Sequence, residues 1–405
     1  MRVLICHNFY QQPGGEDQVF AAETDMLRAR GHDVETFTLH NDAVAAMGKL
    51  ELAAKTIWNR QAAGEVRIRT RKHRAEIVHF HNTFPLFSPL SYSAARSQGA
   101  AVVQTLHNYR LLCPAATFFR EGKPCEKCLG HLPLPAVAYG CYRDNRAATA
   151  ITAAMLGTHR LLRTYAGDVD AYIALTKFAR EKFVWAGFPQ DKLFVKPNFV
   201  EPDPGVGSGD GGFALFVGRL TEEKGIRPLL AAWKSIGNAL PLKICGDGPL
   251  AEEVANTIKD MPGVQWLGRK PFSQVIELMG RATVLVFPSI WYEGLPRTIV
   301  ESYARGTPVA ASDLGSMREL IDPGKTGLLF RPGDPEHMAK QILRLAGDGP
   351  LLAAMRKSCR EDYLSRYGAD LNHSMMLEIY QHAMRRGVPA PAESSSKRAT
   401  IATAS

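Results

Sequence analysis

Residues 284–312 constrain the fold more tightly than any other stretch of the chain. VLVF at 284–287 is a continuous apolar run closed by Pro288, the pattern of a strand buried on both faces. Pro296 suits the first turn of a helix, where a missing N–H costs nothing. A helical pattern then runs to Ala304, until Gly306, Thr307 and Pro308 stop it. A further short strand is predicted over 308–312. Strand, loop, helix and strand in that order belong to an α/β sheet, where ligands bind at loops leaving the carboxyl ends of strands. The loop here carries Glu293, and Glu301 lies a turn or more inside the helix. Two carboxylates in such a place need hydroxyl or cationic partners, although spacing alone also fits a solvated pair on a surface helix.

The same alternation fills the rest of the chain. Strands are predicted at 2–7, 32–39, 77–80, 101–106 and within VDAYIALT at 169–176, with a helix over 18–30 between the first two. The first strand leads into YQQPGGEDQ, where the backbone amides of Gly14 and Gly15 can approach an anion at the helix start. Two later strands end in HFHN and HNYR, which place His79, His81 and His107 at loop starts. A Pro-, Gly- and Asp-rich linker at 196–212 divides the chain. Beyond it a second run begins, with strands predicted in ALFVGRL, LKICGDG and VQWLG, then 284–287, 308–312 and 327–330. With 405 residues and 45% hydrophobic content there is enough material for two full cores. The reading is therefore α/β, with two Rossmann-like doubly wound domains facing a cleft: 1–200, 201–386 and a disordered tail over 387–405.

Charge narrows the partners only partly. A net charge of +9 suits an anionic partner, be it nucleic acid, a membrane surface or a phosphorylated metabolite. No nucleic-acid-binding module is recognisable, so nucleic acid is not expected as a partner. No apolar run approaches the roughly 20 residues of a spanning helix, and 1–10 lack the pattern of a signal peptide. The expected location is cytoplasmic, at most peripheral at the inner face of a membrane. The basic segment 47–74, with Lys49, Lys55, Arg60, Arg67, Arg69, Arg71, Lys72 and Arg74 against Glu51 and Glu65, fits either an anionic membrane surface or a solvated helix face. Gly64 is expected to interrupt its helix.

Cys113, Cys125, Cys128 and Cys141 form a cysteine-rich insertion, 113–141, among prolines and glycines. A pair two residues apart can hold one edge of a tetrahedral Zn²⁺ site and two flanking thiolates can complete it, while disulfide or redox use and plain thiols are the alternatives.

In the second half, VGRLTEEKG sets Arg219 and Lys224 in a loop leading into a helix, a guanidinium and an ammonium suited to a diphosphate. GDGP at 246–249 ends the next strand and the Glu293 loop ends a later one, so three polar strand ends share one cleft edge. Together with Gly14-Gly15, GTPVAAS, Gly315, Glu319 and TGLLF, this set resembles the retaining, nucleotide-sugar-dependent glycosyltransferases of the GT-B fold, family 4. The similarity runs over 1–386 and is strongest over 213–333.

That resemblance implies a role for each matching residue. Arg219 and Lys224 would hold the donor diphosphate and stabilise its departure. Glu301 would bind the ribose hydroxyls and Glu293 the donor sugar, helped by the backbone amides of Gly294 and Leu295. Gly246 and Gly248 would lie at the nucleotide. Gly14 and Gly15 would close over the phosphates, and His107 would reach the sugar. The implied partners are a nucleotide-diphosphate sugar and a glycan or lipid-linked acceptor of surface polysaccharide synthesis. No cofactor is implied for catalysis, and zinc at the cysteines would be structural only. Asn108 stands where many relatives carry Asp. A GT-B epimerase or phosphorylase, or a catalytically silent nucleotide-sugar-binding subunit of a polysaccharide assembly complex, is the competing reading.

Overall fold

A computed structural model of the chain describes residues 1–12 and 14–387. The expected tail falls outside them apart from Gly387, which ends the last helix. Two six-stranded sheets carry the architecture, and all their pairings are parallel. The first contains β1 (Arg2–Phe9), β2 (Asp33–His40), β3 (Ile77–Phe80), β4 (Ala101–Leu106), β5 (Ala171–Ala174) and β6 (Leu193–Val195), in the order β2-β1-β3-β4-β5-β6. The second contains β7 (Ala214–Val217), β8 (Leu242–Cys245), β9 (Val264–Gly268), β10 (Val284–Phe287), β11 (Val309–Ser312) and β12 (Gly327–Phe330), in the order β9-β8-β7-β10-β11-β12. All six strands of the second sheet are those predicted. In the first, β6 was not, because it is three residues long and sits between proline-bearing loops.

Strand β10 explains the sheet's strength. Its four residues are all buried, and covering each such side chain contributes roughly 1.5–3 kcal/mol before entropy is counted. Both sheets reverse strand order once, between β1 and β3 in the first and between β7 and β10 in the second. Such reversals open crevices at the carboxyl edge of a sheet, and the loops carrying the candidate residues leave from there.

Two expectations about helices change. The helix after β1, α1 (Gly15–Ala29), starts earlier than predicted, so the Gly-Gly pair is its N-terminus and not a free loop. The basic segment forms α2 (Lys49–Ile57) and α3 (Arg60–His73), and the break lies at Trp58-Asn59 rather than Gly64. The Asn59 side chain accepts from the Ala62 amide and so starts a new helix, whereas Gly64 simply continues it.

The helix carrying Glu301 is α4 (Arg297–Ala304), with Pro296 at its cap. The last helix, α5 (Ala369–Gly387), crosses back to the first sheet. Its Met376, Ile379, Tyr380 and Ala383 are buried with Val3, Ile5 and Val103, although sequence order assigned 369–386 to the second domain.

Candidate active site

The two sheets face each other across a cleft of about 740 Å³. From the second sheet come Arg219, at the end of β7, and Lys224, a few residues further on. The β10 loop and α4 contribute Glu293, Gly294, Leu295 and Glu301. From the first sheet come Gly14, Gly15 and His107. Every one of these sequence-predicted residues lines one cleft.

The carboxylates are not free. Glu293 is buried, and its Oε1 accepts from Lys224 Nζ at 2.6 Å and from Ser289 Oγ at 2.7 Å. Lys224 also lies 5.3 Å from the Trp291 ring centroid, within cation–π range. The Glu293 backbone carbonyl accepts from Tyr109 Oη of the first sheet's side at 3.3 Å and from Ser316 Oγ at 3.0 Å, which fixes the loop from both domains. Glu301 is buried as well and meets Arg297 Nη2 at 3.3 Å. Burial pushes its carboxyl up from the ordinary range and the Arg297 charge partly offsets this. Arg219 differs from all of these: it is exposed and its side chain makes no hydrogen bond or ion pair among the described residues.

Glycine is required at two points by close approach. A Cβ on Gly246, which has φ +144°, would stand 1.8 Å from the Gly218 carbonyl oxygen, so the β7 and β8 loops pack backbone to backbone. Gly246 and Gly248 therefore shape the Arg219 loop. Both line an adjoining cavity of about 540 Å³ with Arg219, Arg269 and Lys270. On Gly294 a Cβ would stand 2.8 Å from the His107 carbonyl, one of the points where the two domains touch.

On the first domain's side the anion reading of the Gly-Gly loop needs correcting. The Gly14 amide donates to Asp17 Oδ2 at 2.7 Å, so it is already taken, and Asp17 is in turn held by His7 Nε2 at 2.7 Å. The first turn also carries Glu16, which lines the cleft with Tyr10. Burial pushes the Glu16 carboxyl up to about 7, with the Tyr10 hydroxyl opposing. Sequence reading missed Glu16, Ser289, Trp291, Arg297, Arg269 and Lys270. The available signal was nearness in sequence to residues already singled out or, for Arg269 and Lys270, to the end of the predicted strand VQWLG. His107 lines the cleft's far wall, and burial with the nearby His7, His79 and Lys196 depresses its imidazole well below the usual range.

The four cysteines do converge: Cys113, Cys125, Cys128 and Cys141 border one cavity of about 20 Å³ and all are free thiols. The expected zinc site finds no support in their geometry, however. A tetrahedral site with Zn–S near 2.3 Å needs sulfurs about 3.8 Å apart. Among the described residues, the three-ligand group whose atoms all fall within 4.8 Å is Glu23, His79 and His81. The insertion instead braces the cleft. Glu126 receives Lys182 Nζ at 2.6 Å and lies beside Tyr292, next to Glu293.

Comparison with known proteins agrees with this geometry. Residues 205–362 match the family described as glycosyl transferases group 1, and residues 13–204 match glycosyltransferase family 4. An alpha-maltose-1-phosphate synthase of Mycolicibacterium smegmatis is 32% identical over 185 residues, 41% of this chain and 46% of that protein. A 2-deoxystreptamine glucosyltransferase of Streptomyces kanamyceticus is 25% identical over 324 residues, 78% and 79% of the two chains. The first curated relatives are matched over half their length or less, 49%, 46% and 25%. Among solved structures, sucrose-phosphate synthase from Thermosynechococcus elongatus superposes with a TM-score of 0.70 at 17% identity, covering 95% of this chain and 100% of that one. HepE of Anabaena in complex with UDP superposes with a TM-score of 0.68 at 16% identity, covering 94% and 100%. At these identities the likeness is one of fold, the GT-B arrangement of two facing α/β domains.

Proposed function

This chain belongs to the group 1, family 4 glycosyltransferases, and we propose that it moves a sugar from a nucleotide-diphosphate sugar to a glycan or lipid-linked acceptor with retention of anomeric configuration. The observation that carries the reading is the charge arrangement at the second sheet's reversal point. An unpaired Arg219 stands beside a Lys224 that is already neutralising Glu293 at 2.6 Å. A diphosphate arriving there meets Arg219, with Arg269 and Lys270 beside it, none of them paired among the described residues, and a Lys224 that can exchange Glu293 for phosphate. Glu293, released, then has its lone pairs available for sugar hydroxyls. HepE was solved with UDP bound, which favours a nucleoside diphosphate as the kind of ligand.

None of the three cleft carboxyls is poised as a nucleophile. Glu16 is held protonated up to about pH 7 by burial, and Glu301 is held by Arg297. Glu293 keeps the Ser289 hydrogen bond and is taken up by sugar hydroxyls once Lys224 turns to the phosphate. The chemistry this favours is substitution on the face the leaving group departs from. The bond from the sugar's anomeric carbon to the phosphate oxygen breaks and its electron pair stays on the phosphate. The acceptor oxygen bonds the same carbon, and its proton passes to the leaving phosphate. Protein groups then act by positioning and by stabilising the departing charge, where one pre-placed donor is typically worth about 3 kcal/mol.

The test is release of nucleoside diphosphate from a panel of nucleotide sugars, with product configuration read by NMR. We expect release from at least one donor and an anomer matching the donor. No release from any would sink the enzymatic reading in favour of a silent binding subunit. An inverted product would remove the retaining part alone.

A lipid-linked acceptor of surface polysaccharide synthesis is supported by the first domain's outer face. Leu50 on α2 is 89% exposed, and α2 packs against the helix Arg146–Leu161, whose end bears Leu161, 78% exposed, and Leu162. Lys49, Arg60, Arg67, Arg71 and Lys72 are exposed nearby in sequence, while Lys55 and Arg69 are spent on Glu51, Glu65 and Glu35. Such a face fits peripheral binding to an anionic bilayer. No described helix is long and apolar enough to cross one. Flotation with anionic vesicles at low salt checks this, and failure to float removes the membrane part.

A further inference from the structure

Beneath His107 lies a chain of buried polar side chains that the transfer chemistry above does not use. His81 Nδ1 is 3.0 Å from His107 Nε2, and His81 Nε2 is 3.4 Å from Glu23 Oε2. The other Glu23 oxygen accepts from Lys196 Nζ at 2.7 Å, and Lys196 also donates to Asn372 Oδ1 at 2.9 Å. Glu23, His81 and Lys196 are all buried, drawn from α1, the end of β3 and the loop after β6. His79 sits beside them with both ring nitrogens occupied, by Tyr380 Oη at 2.9 Å and Thr105 Oγ1 at 2.8 Å.

The cluster of Glu23, His79 and His81 has the composition of a metal site but not its electrostatics. An ammonium already holds the carboxylate, and His79 has no lone pair to spare while both its hydrogen bonds stand. A dication would have to displace Lys196 inside the core, against the cost of leaving that charge unpaired. The geometry describes a proton arrangement instead.

We infer that Glu23 and His81 are positioning residues that fix the tautomer of His107, holding its proton on Nε2 and presenting Nδ1 as a bare acceptor to a substrate hydroxyl. Lone pairs decide the matter. A buried neutral imidazole has one N–H, and His81 must choose between aiming it at the Glu23 carboxylate or at His107. Aiming it at His107 would set the lone pair of Nε2 against a carboxylate oxygen with no water between them. The other choice turns the His81 proton toward the Glu23 carboxylate, 3.4 Å away, and leaves His81 Nδ1 as the acceptor 3.0 Å from His107, so His107 must donate from Nε2. His107 Nδ1 has no hydrogen-bond partner among the described residues and His107 lines the cleft. Burial and the surrounding His7, His79 and Lys196 keep His107 uncharged near neutral pH, so it acts as an acceptor and not as a cation. The chemistry it recognises is a hydroxyl donor such as a sugar O–H. Only this last assignment rests on the transferase reading.

The decisive measurement is long-range ¹H–¹⁵N correlation on the full chain labelled at histidine, with His107 identified by the signal lost in His107→Asn. At pH 7 the expected pattern is a protonated Nε2 and an unprotonated Nδ1. A proton on Nδ1, or a doubly protonated ring, overturns the inference whether or not the protein transfers sugar. His81→Gln, whose amide can still meet Glu23 but no longer offers an acceptor at Nδ1, should let the His107 proton redistribute. It should slow transfer about tenfold with unchanged nucleoside diphosphate affinity. An unaltered His107 tautomer in that variant would equally overturn it. Should His81→Gln fail to fold, Glu23→Gln gives the same reading, and the wild-type spectrum alone still decides the tautomer.

Discussion

The two sheets are close in architecture and opposite in how they use their strand-order reversal. At the β7–β10 reversal the second sheet puts charge at the surface of the cleft: exposed Arg219, half-buried Lys224, and two carboxylates held by neighbouring cations. At the β1–β3 reversal the first sheet puts polar groups under the surface, where His7, His79, His81, Glu23 and Lys196 lie close together with almost no solvent contact and Lys196 holds Glu23. The cleft therefore has one wall that can exchange ion pairs for a ligand and one that is rigid. That division teaches more about function than the shared fold does, because the fold alone is compatible with many chemistries.

The sharpest way to break the comparison is at Arg219. It is exposed and unpaired, so Arg219→Ala should change stability by less than about 0.5 kcal/mol. Yet it should lower the transfer rate by a factor on the order of 10³, the usual loss when a pre-placed donor to a leaving anion is removed. Nucleoside diphosphate release and a thermal melt measure the two. A rate within a factor of three of the parent would take the diphosphate away from this loop.

Lys224 should behave differently because it has a partner in the ligand-free protein. Lys224→Ala leaves buried Glu293 with Ser289 as its remaining side-chain hydrogen bond, so both rate and stability should fall, the latter by about 2–3 kcal/mol. Adding Glu293→Gln should restore the melting temperature without restoring transfer. Recovery of both would mean that the pair is structural only.

The contrast between the walls also explains what was legible in sequence. Arg219, Lys224 and Glu293 follow strand ends, each next to a glycine that marks its loop, and Glu301 lies in the helix opened by Pro296, so the second wall could be assembled from motif order. Their fixed partners are local too: Ser289, Trp291 and Arg297 are within four residues of a motif residue. The first wall could not be assembled that way. His81 meets His107 across 26 residues, Glu23 meets Lys196 across 173, and His79 meets Tyr380 across 301. No periodicity records such contacts. The return of α5 to the first sheet was hidden for the same reason, since its apolar pattern does not say which sheet it covers. The zinc expectation found no support: the spacing of four cysteines brought them to one cavity but says nothing of the distances between their sulfurs.

Glu16 gives the comparison a pH axis. The second wall presents Arg219 and Lys224, whereas on the first wall the carboxyl of Glu16 is held neutral until pH about 7 by burial. A raised folded-state value means the folded protein binds this proton more tightly than the unfolded chain does. Its contribution is therefore complete below about pH 4.5 and is lost as pH rises through about 7. Relative to the parent, Glu16→Gln should gain on the order of 1–2 kcal/mol in stability between pH 5 and pH 8. Urea midpoints at the two values check it, and a constant difference would show that Glu16 ionises like an exposed carboxyl.

Gly15 separates shape from charge on that same wall, with the smallest expected effect. A Cβ on Gly15 would meet nothing within 4 Å, and the residue opens α1, so the fold itself does not require glycine there. Gly15→Ala should leave stability equal or raise it by no more than about 1 kcal/mol, because alanine is the better helix former. If the α1 start closes over donor phosphates, the added methyl must stand where a phosphate oxygen would approach. KM for the donor should then rise a few-fold while kcat changes little, since Arg219 and Lys224 on the opposite wall still carry the leaving charge. An unchanged KM would leave the first wall with His107 and Glu16 as its contacts to substrate, and would place the whole of diphosphate recognition on the second sheet.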